Sequence, residues 1–297
     1  VTSGRSPSIN REPIYISPEK FADHLFHQQE YCLFLDIDGT LADFTLNPKN
    51  SFIPNATLIL LQKIQNHGVK IAAVTGRSLA EAKQMLFPLT LPIAATHGLE
   101  IAFDDDSISN DENIVSIDTI ELATIRQAII QSCRPYNNLI IEKKPYSVAL
   151  HFRKNHALAD VAYTIMTETL KTHNNWSLKS GKYVWEVVPK GVSKGTAILT
   201  LLEKIQSPKP LFPIFIGDDI TDEAGFVAVQ GDSKLLEDDS QLIKGMGIKV
   251  GCEPTHANYY VHDTHEVTVL LDSLLSLCQQ HNELVKETVR VRGRHVV

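Results

Sequence analysis

The stretch YCLFLDIDGT, residues 31–40, decides the fold. Five apolar residues run straight into two aspartates and a glycine. An uninterrupted apolar run offers no polar face to water, so it belongs in a parallel sheet covered on both sides. The acidic residues that end it fall where open α/β sheets bind ligands, in the crevice beyond the carboxyl ends of the strands.

The same grammar repeats on either side. Residues 69–74 read as a second buried strand, ending at Thr75-Gly76-Arg77-Ser78, and residues 93–95 as a third. Helices are predicted over 54–66 and 79–86. The first has Pro54 near its start and Leu58, Leu61 and Ile64 at helical spacing. Such alternation predicts a doubly wound, Rossmann-like α/β sheet. The pattern then breaks. Residues 103–113 (FDDDSISNDEN) are acidic and turn-rich, the mark of a boundary or exposed hairpin. A helix over 119–133, strands at 139–142 and 147–152, a helix over 158–170 and strands at 176–179 and 183–188 follow, an α+β unit with a one-faced sheet. From Ser193 the alternation resumes with a helix over 194–205 and a strand over 211–216 that stops at Gly217-Asp218-Asp219. Further elements are expected at 224–230, 248–250 and 267–278. The expected architecture is a core of residues 14–108 and 191–278 interrupted by an inserted α+β cap of residues 109–190. The tails 1–13 and 279–297 are assigned no structure.

Composition narrows the function. With 43% hydrophobic residues in 297, the chain has apolar surface enough to fold. Its 28 Lys and Arg against 35 Asp and Glu leave a charge of −7, which argues against duplex nucleic acid as a partner. Cys32, Cys133, Cys252 and Cys278 stand far apart with no CxxC pair, and read as buried or free thiols in a reducing compartment, with all four expected in the core. No apolar run approaches the roughly 18 residues of a membrane span, and the opening residues lack a signal peptide's apolar core. A cytoplasmic protein without membrane contact is expected. Oligomeric state leaves no trace in the sequence.

The chemistry gathers in two acidic loops, Asp36-Ile37-Asp38-Gly39-Thr40 and Gly217-Asp218-Asp219-Ile220-Thr221-Asp222-Glu223, each directly after a buried strand. Like charges about 4 Å apart repel by about 4 kcal/mol at an effective dielectric near 20. A divalent cation removes that cost, and oxygen ligation with little Cys or His selects Mg²⁺. Helix capping or turn formation explains Asp38 or Asp222 singly, but not two such clusters. Thr75 lies at a helix N-terminus, where phosphate is favoured, with Arg77 beside it as a forked cation. Lys190 and Lys194, in PKGVSKG, flank the turn that returns the chain to the core.

DIDGTLADF, VTGRS, the PKGVSKG lysine and GDDITDEAGF resemble, in order, the four motifs of the haloacid dehalogenase superfamily of phosphotransferases. More narrowly, residues 31–275 resemble the trehalose-6-phosphate phosphatases. The shared segments are His97-Gly98-Leu99-Glu100, Glu142-Lys143-Lys144 through His151-Phe152-Arg153, Gly181-Lys182 to Glu186, KGVSKG and GDDITDE.

The resemblance implies a cap inserted into the core and an aspartyl-phosphate mechanism. Asp36 is the implied nucleophile and Asp38 the implied general acid and base, with Thr75 and Lys194 on the transferring oxygens. Mg²⁺ is implied at Asp36, the Asp38 carbonyl and Asp218, with Asp219 or Asp222 ordering its waters from further out. Asp36, Ile37, Asp38, Gly76 and Arg77 complete the implied substrate contacts in the core, and Glu142, Lys144, Arg153, Lys182 and Glu186 are the implied sugar-binding set. His97 reads as a loop or structural histidine, and Trp176 and Trp185 as packing. The implied reaction is hydrolysis of trehalose 6-phosphate. The rivals are a capped phosphatase for another sugar phosphate, such as sucrose 6-phosphate, and a non-catalytic subunit of a trehalose-synthesising complex.

Overall fold

The computed structural model describes residues 12–26, 29–45, 47–103, 117–205, 207–231 and 244–293. The chain begins with β1 (Ile14–Tyr15), β2 (Glu30–Leu35), α1 (Asn55–Asn66), β3 (Lys70–Val74), α2 (Leu79–Leu86), β4 (Ile93–Ala95) and β5 (Glu100–Ala102). Then come α3 (Thr119–Cys133), β6 (Ile140–Lys143), β7 (Val148–His151), α4 (Ala159–Leu170), β8 (Trp176–Gly181) and β9 (Val184–Pro189). The remainder is α5 (Lys194–Lys204), β10 (Leu211–Gly217), α6 (Glu223–Gln230), β11 (Met246–Val250), β12 (Tyr259–Val261) and α7 (Thr264–Gly293).

Eight strands form one sheet in the order β1-β12-β11-β10-β2-β3-β4-β5, parallel except for the β4–β5 pair. The apolar run of residues 31–35 sits near its centre and feeds both faces. Tyr31, Leu33 and Leu35 join one buried cluster with α1, α2 and α7, while Cys32 and Phe34 join another with α5 and α6. A strand covered on both sides is what the unbroken apolar run requires.

The second sheet, β6-β7-β9-β8, is antiparallel throughout. One face, with Val148, Leu150, Val187 and Trp176, packs on Leu122, Ile125 and Ile129 of α3 and Ala162 and Met166 of α4. These elements lie in the chain between β5 and α5. The expected border at 108/109, and most of the acidic 103–113 stretch, lie outside the described residues.

One expectation is corrected. Residues 279–293 are not structureless, because α7 continues to Gly293. Its first half is anchored by Val267, Leu270, Leu271 and Leu274, all buried. No Pro or Gly interrupts the sequence before Gly293, and each residue added to an established helix gains a hydrogen bond at little cost. Among the described residues no helix is long and apolar enough to cross a membrane.

Candidate active site

Strands β10, β2 and β3 are neighbours, with Ile216 opposite Leu35 and Leu35 opposite Ala73. The loops at their carboxyl ends therefore meet, which brings Asp218, Asp36 and Thr75 together. The Asp36 amide donates to the Ile216 carbonyl at 3.0 Å, tying the first acidic loop to β10. Gly39 lets the turn close: φ is +79°, and a Cβ there would lie 2.0 Å from an Asp218 carboxylate oxygen. Lys194 opens α5, behind an N-cap in which the Ser193 hydroxyl accepts from the Thr196 amide at 3.1 Å. Its Nζ lies 2.9 Å from Asp36 Oδ1 and 2.7 Å from Asp222 Oδ1, with all three side chains buried.

Negative charge is in excess here. Burial pushes the Asp36 carboxyl well above the usual aspartate range; Lys194 opposes it, and Asp222 and Asp218 reinforce it. The Asp218 carboxyl is pushed up to about 7 by burial and by Asp222 and Asp219. Burial alone would lower the Lys194 pKa, yet Asp222 and Asp36 hold it above the ordinary lysine range. Lys194 pairs with Asp36 and Asp222, and the buried Lys249 ammonium, on the Asp218 carbonyl, opposes the rise at Asp218, so two cations face three clustered carboxylates. Oxygens of Asp36, Asp218 and Asp222 lie within 4.8 Å of one another, and an all-oxygen, acidic group of this kind suits a hard divalent cation.

Thr75 is buried, and its hydroxyl accepts from the Arg77 amide at 3.1 Å. Arg77 turns its fork onto Asp38, with Nε 2.6 Å from Oδ2 and Nη2 2.6 Å from Oδ1. The Ser51 hydroxyl donates to the same carboxylate at 3.0 Å. Burial works against the guanidinium charge, but the bond and charge of Asp38 outweigh it and raise the Arg77 pKa.

Across a cavity of about 930 Å³, counting its solvent-open mouth, the second sheet presents its polar face. Glu142, Ala149, Glu186 and Lys179 stand opposite one another on adjacent strands and so share that face. Lys144 Nζ reaches the Gly76 carbonyl at 2.8 Å and the Glu186 carboxylate at 3.1 and 3.2 Å. Ser147 donates to Glu186 at 2.6 Å, and His97 lies 3.0 Å from it. Burial would raise the Glu186 carboxyl, but Lys144, His97 and Ser147 hold it well below the ordinary glutamate value. His151 pairs with Glu142 at 2.8 Å. At the rim, Phe44 carries the Lys182 ammonium 4.2 Å and the Arg153 guanidinium 5.0 Å from its ring centre.

The trehalose-phosphatase family model matches residues 34–265, a span that takes in the loops and strands on both sides of this cavity. The chain belongs to the trehalose-phosphatase family. Its members are phosphoric monoester hydrolases. The chain is 28% identical to the trehalose-6-phosphate phosphatase of Escherichia coli (strain K12) over 92% of its own length and 94% of that protein's. It is 31% identical to a probable trehalose-phosphate phosphatase of Sinorhizobium fredii, over 67% of this chain and 74% of that one. Its fold matches the C-terminal domain of C. albicans trehalose-6-phosphate phosphatase with a TM-score of 0.74 at 21% identity, covering 91% of this chain and 99% of that one.

Of the trehalose-phosphatase residues expected from sequence, Asp36, Asp38, Thr75, Gly76, Arg77, Glu142, Lys144, Arg153, Lys182, Glu186, Lys194, Asp218 and Asp219 all line the one cavity. Ile37, Asp222 and Asp219 are placed as follows. Ile37 has its side chain in the hydrophobic core and its carbonyl engaged by the Leu41 and Ala42 amides, so only its backbone is near the site. Asp222, expected further out, is fully buried and supplies the third clustered carboxylate, whereas the Asp38 side chain turns to Arg77. Asp219 caps the turn at Ile220, accepting from its amide at 2.7 Å. Reading by sequence passed over Phe44, Ser51, Ser147 and Lys179, and gave no site role to His97 and His151, which stand in the shared segments. His151 and Lys179 carried a usable signal, since His151 is the one polar residue of its strand and Lys179 alternates with the apolar Trp176 and Leu178. Trp176 does pack, and its indole N–H donates to Glu121 at 2.9 Å.

Proposed function

We propose that the protein hydrolyses trehalose 6-phosphate to trehalose and phosphate, using Mg²⁺ and a covalent aspartyl-phosphate on Asp36. The observation that carries this reading is a single cavity walled on one side by Asp36, Lys194 and Asp218 and on the other by Glu142, Lys144 and Glu186. Phosphate chemistry and polyol recognition share one chamber.

Asp36 is the nucleophile because it is buried, lies at a strand end and touches Lys194. Its carboxylate oxygen attacks phosphorus, and the bond to the sugar oxygen breaks. Asp38 gives that oxygen a proton, then takes one from the water that attacks phosphorus and frees Asp36. Thr75 and Lys194 steady the transferring oxygens, whose spread charge makes positioning most of the catalysis. The charge excess among Asp36, Asp218 and Asp222 fits a divalent metal, and these residues with the Asp38 carbonyl would hold it. Bound there, Mg²⁺ would neutralise the carboxylates and draw charge from the phosphoryl group. Arg77 leaves Asp38 for the substrate, and Arg153 and Lys182 close the sugar side.

Residues 14–108 and 191–278 would form the catalytic core and 109–190 the cap that selects the sugar. We also place the enzyme in the cytoplasm. All four cysteines are free thiols, in keeping with a reducing compartment.

The deciding experiment compares phosphate release from trehalose 6-phosphate, sucrose 6-phosphate and glucose 6-phosphate, with and without Mg²⁺. Preferential, Mg²⁺-dependent release from the first is expected. Preference for another ester would reassign the substrate, and release from none would leave only a binding role.

A further inference from the structure

His97 sits where the two halves of the cavity meet. Its backbone is left-handed (φ 58°, ψ 23°), between Thr96 (φ 46°) and Gly98 (φ 103°). Two consecutive non-glycine residues in that region carry a steric cost that the surroundings must offset, and such strain concentrates at functional positions. Here it is fixed by two bonds to the phosphate-side loop: the His97 amide donates to the Thr75 carbonyl at 2.9 Å, and the Thr96 amide to the Arg77 carbonyl at 2.8 Å. The ring lies so close over Gly76 that a Cβ there would fall 2.7 Å from Cε1 and 2.9 Å from Nε2. From this platform Nε2 reaches Glu186 of the cap at 3.0 Å.

A carboxylate offers about four acceptor directions. In Glu186, Oε1 takes Ser147 and Lys144, and Oε2 takes His97 and Lys144. Ser147 and Lys144 belong to the cap. Among the described residues, His97 is the core side chain that hydrogen-bonds this carboxylate. Lys144, shared with the Gly76 carbonyl, ties to the same loop segment that the imidazole covers.

We propose that His97 is a positioning residue for sugar recognition: it sets the Glu186 carboxylate, and through it Lys144, at a fixed place over the Thr75-Gly76-Arg77 loop. Cap and phosphate loop thereby register on one imidazole. This role is distinct from the implied loop or structural histidine, and it rests on the sugar-phosphatase reading above. His97 touches no reacting atom in it.

The test compares His97→Met, which keeps bulk without a donor, with His97→Gln, whose side-chain amide can place an N–H near the Nε2 position. Both are measured on trehalose 6-phosphate and p-nitrophenyl phosphate with Mg²⁺, alongside thermal melting. His97→Met should lower kcat/KM for the sugar ester at least about tenfold, with a loss on the nitrophenyl ester of less than about threefold. His97→Gln should recover a substantial part of the difference. On a Glu186→Gln background His97→Met should add little further loss, because the two residues act as a unit. If the ratio between the two esters stays at the parent value, or if Met and Gln behave alike, the positioning role is overturned. Should His97→Met not fold, the cycle run with His97→Gln still decides: full additivity with Glu186→Gln overturns the proposal. A parent enzyme with no turnover of trehalose 6-phosphate overturns the substrate reading, and this inference with it.

Discussion

Arg77 holds Asp38 by two parallel bonds of 2.6 Å, and Ser51 adds a third donor at 3.0 Å. In this grip every contact treats Asp38 as an acceptor. Those three donors fill three of the roughly four acceptor directions of a carboxylate, so the proton carried by the proposed general acid has one direction left to it while Arg77 holds on.

Asp38→Asn is therefore expected to cut steady-state turnover of trehalose 6-phosphate by about a hundredfold or more, the ordinary contribution of general acid–base catalysis. With p-nitrophenyl phosphate, whose leaving group needs no proton, a burst of about one equivalent of nitrophenolate per enzyme should precede a slow phase. Parent-like steady-state rates on both esters would remove Asp38 from the mechanism.

Asp218→Ala should move the Mg²⁺ activation curve to higher concentration by at least about tenfold, since it deletes one of three gathered carboxylates. Asp36→Asn, in contrast, should stay inactive at any Mg²⁺ concentration because the nucleophile itself is gone. An unmoved activation curve for Asp218→Ala would mean that the metal is held elsewhere.

Lys194→Met leaves Asp36 and Asp222 buried without their cation. Breaking a buried ion pair from one side costs roughly 3 kcal/mol or more. The variant should melt well below the parent in chelator, and Mg²⁺ should restore more stability to it than to the parent. Equal Mg²⁺ responses would show that lysine and metal do not share those carboxylates.

The Glu186 carboxyl is held below its ordinary value of 4.5 in the folded protein. The ionised form thus contributes stability in full above about pH 4.5, and that contribution is lost as the pH falls below it toward the folded value. Melting curves between about pH 5 and pH 3 should show the parent losing more stability than Glu186→Gln. Parallel losses would place the acid sensitivity in other carboxylates.

Much of this was written in the sequence, for physical reasons that differ by position. Residues 31–35 could be read because burial on both faces leaves no freedom of pattern, and Asp36 and Asp218 because carboxylates after such strands are costly without a purpose. Strands β1 and β12, of two and three residues, are too short to carry a period. Helix α7 beyond residue 278 was lost because a polar helix has no apolar stripe to betray it. The pairing of Glu186 with His97 spans 89 positions and depends on how cap and core dock, which local patterning does not encode. Asp222 is expected from the sequence to order metal-bound water from further out; only the fold shows that its side chain is buried against Lys194.

The polar face of the second sheet has its own apolar core behind it, separate from the two clusters that flank the central sheet. On the proposed reading of that face, exchanging Glu142, His151 or Lys179 would alter what the chamber accepts while leaving the acidic loops and the packing on both sides where they are. Such a molecule is evolvable in one respect and conservative in another: its appetite for sugars can drift by substitutions on a few strand positions, whereas its way of breaking a phosphate ester is built into the strand ends on which the central fold depends.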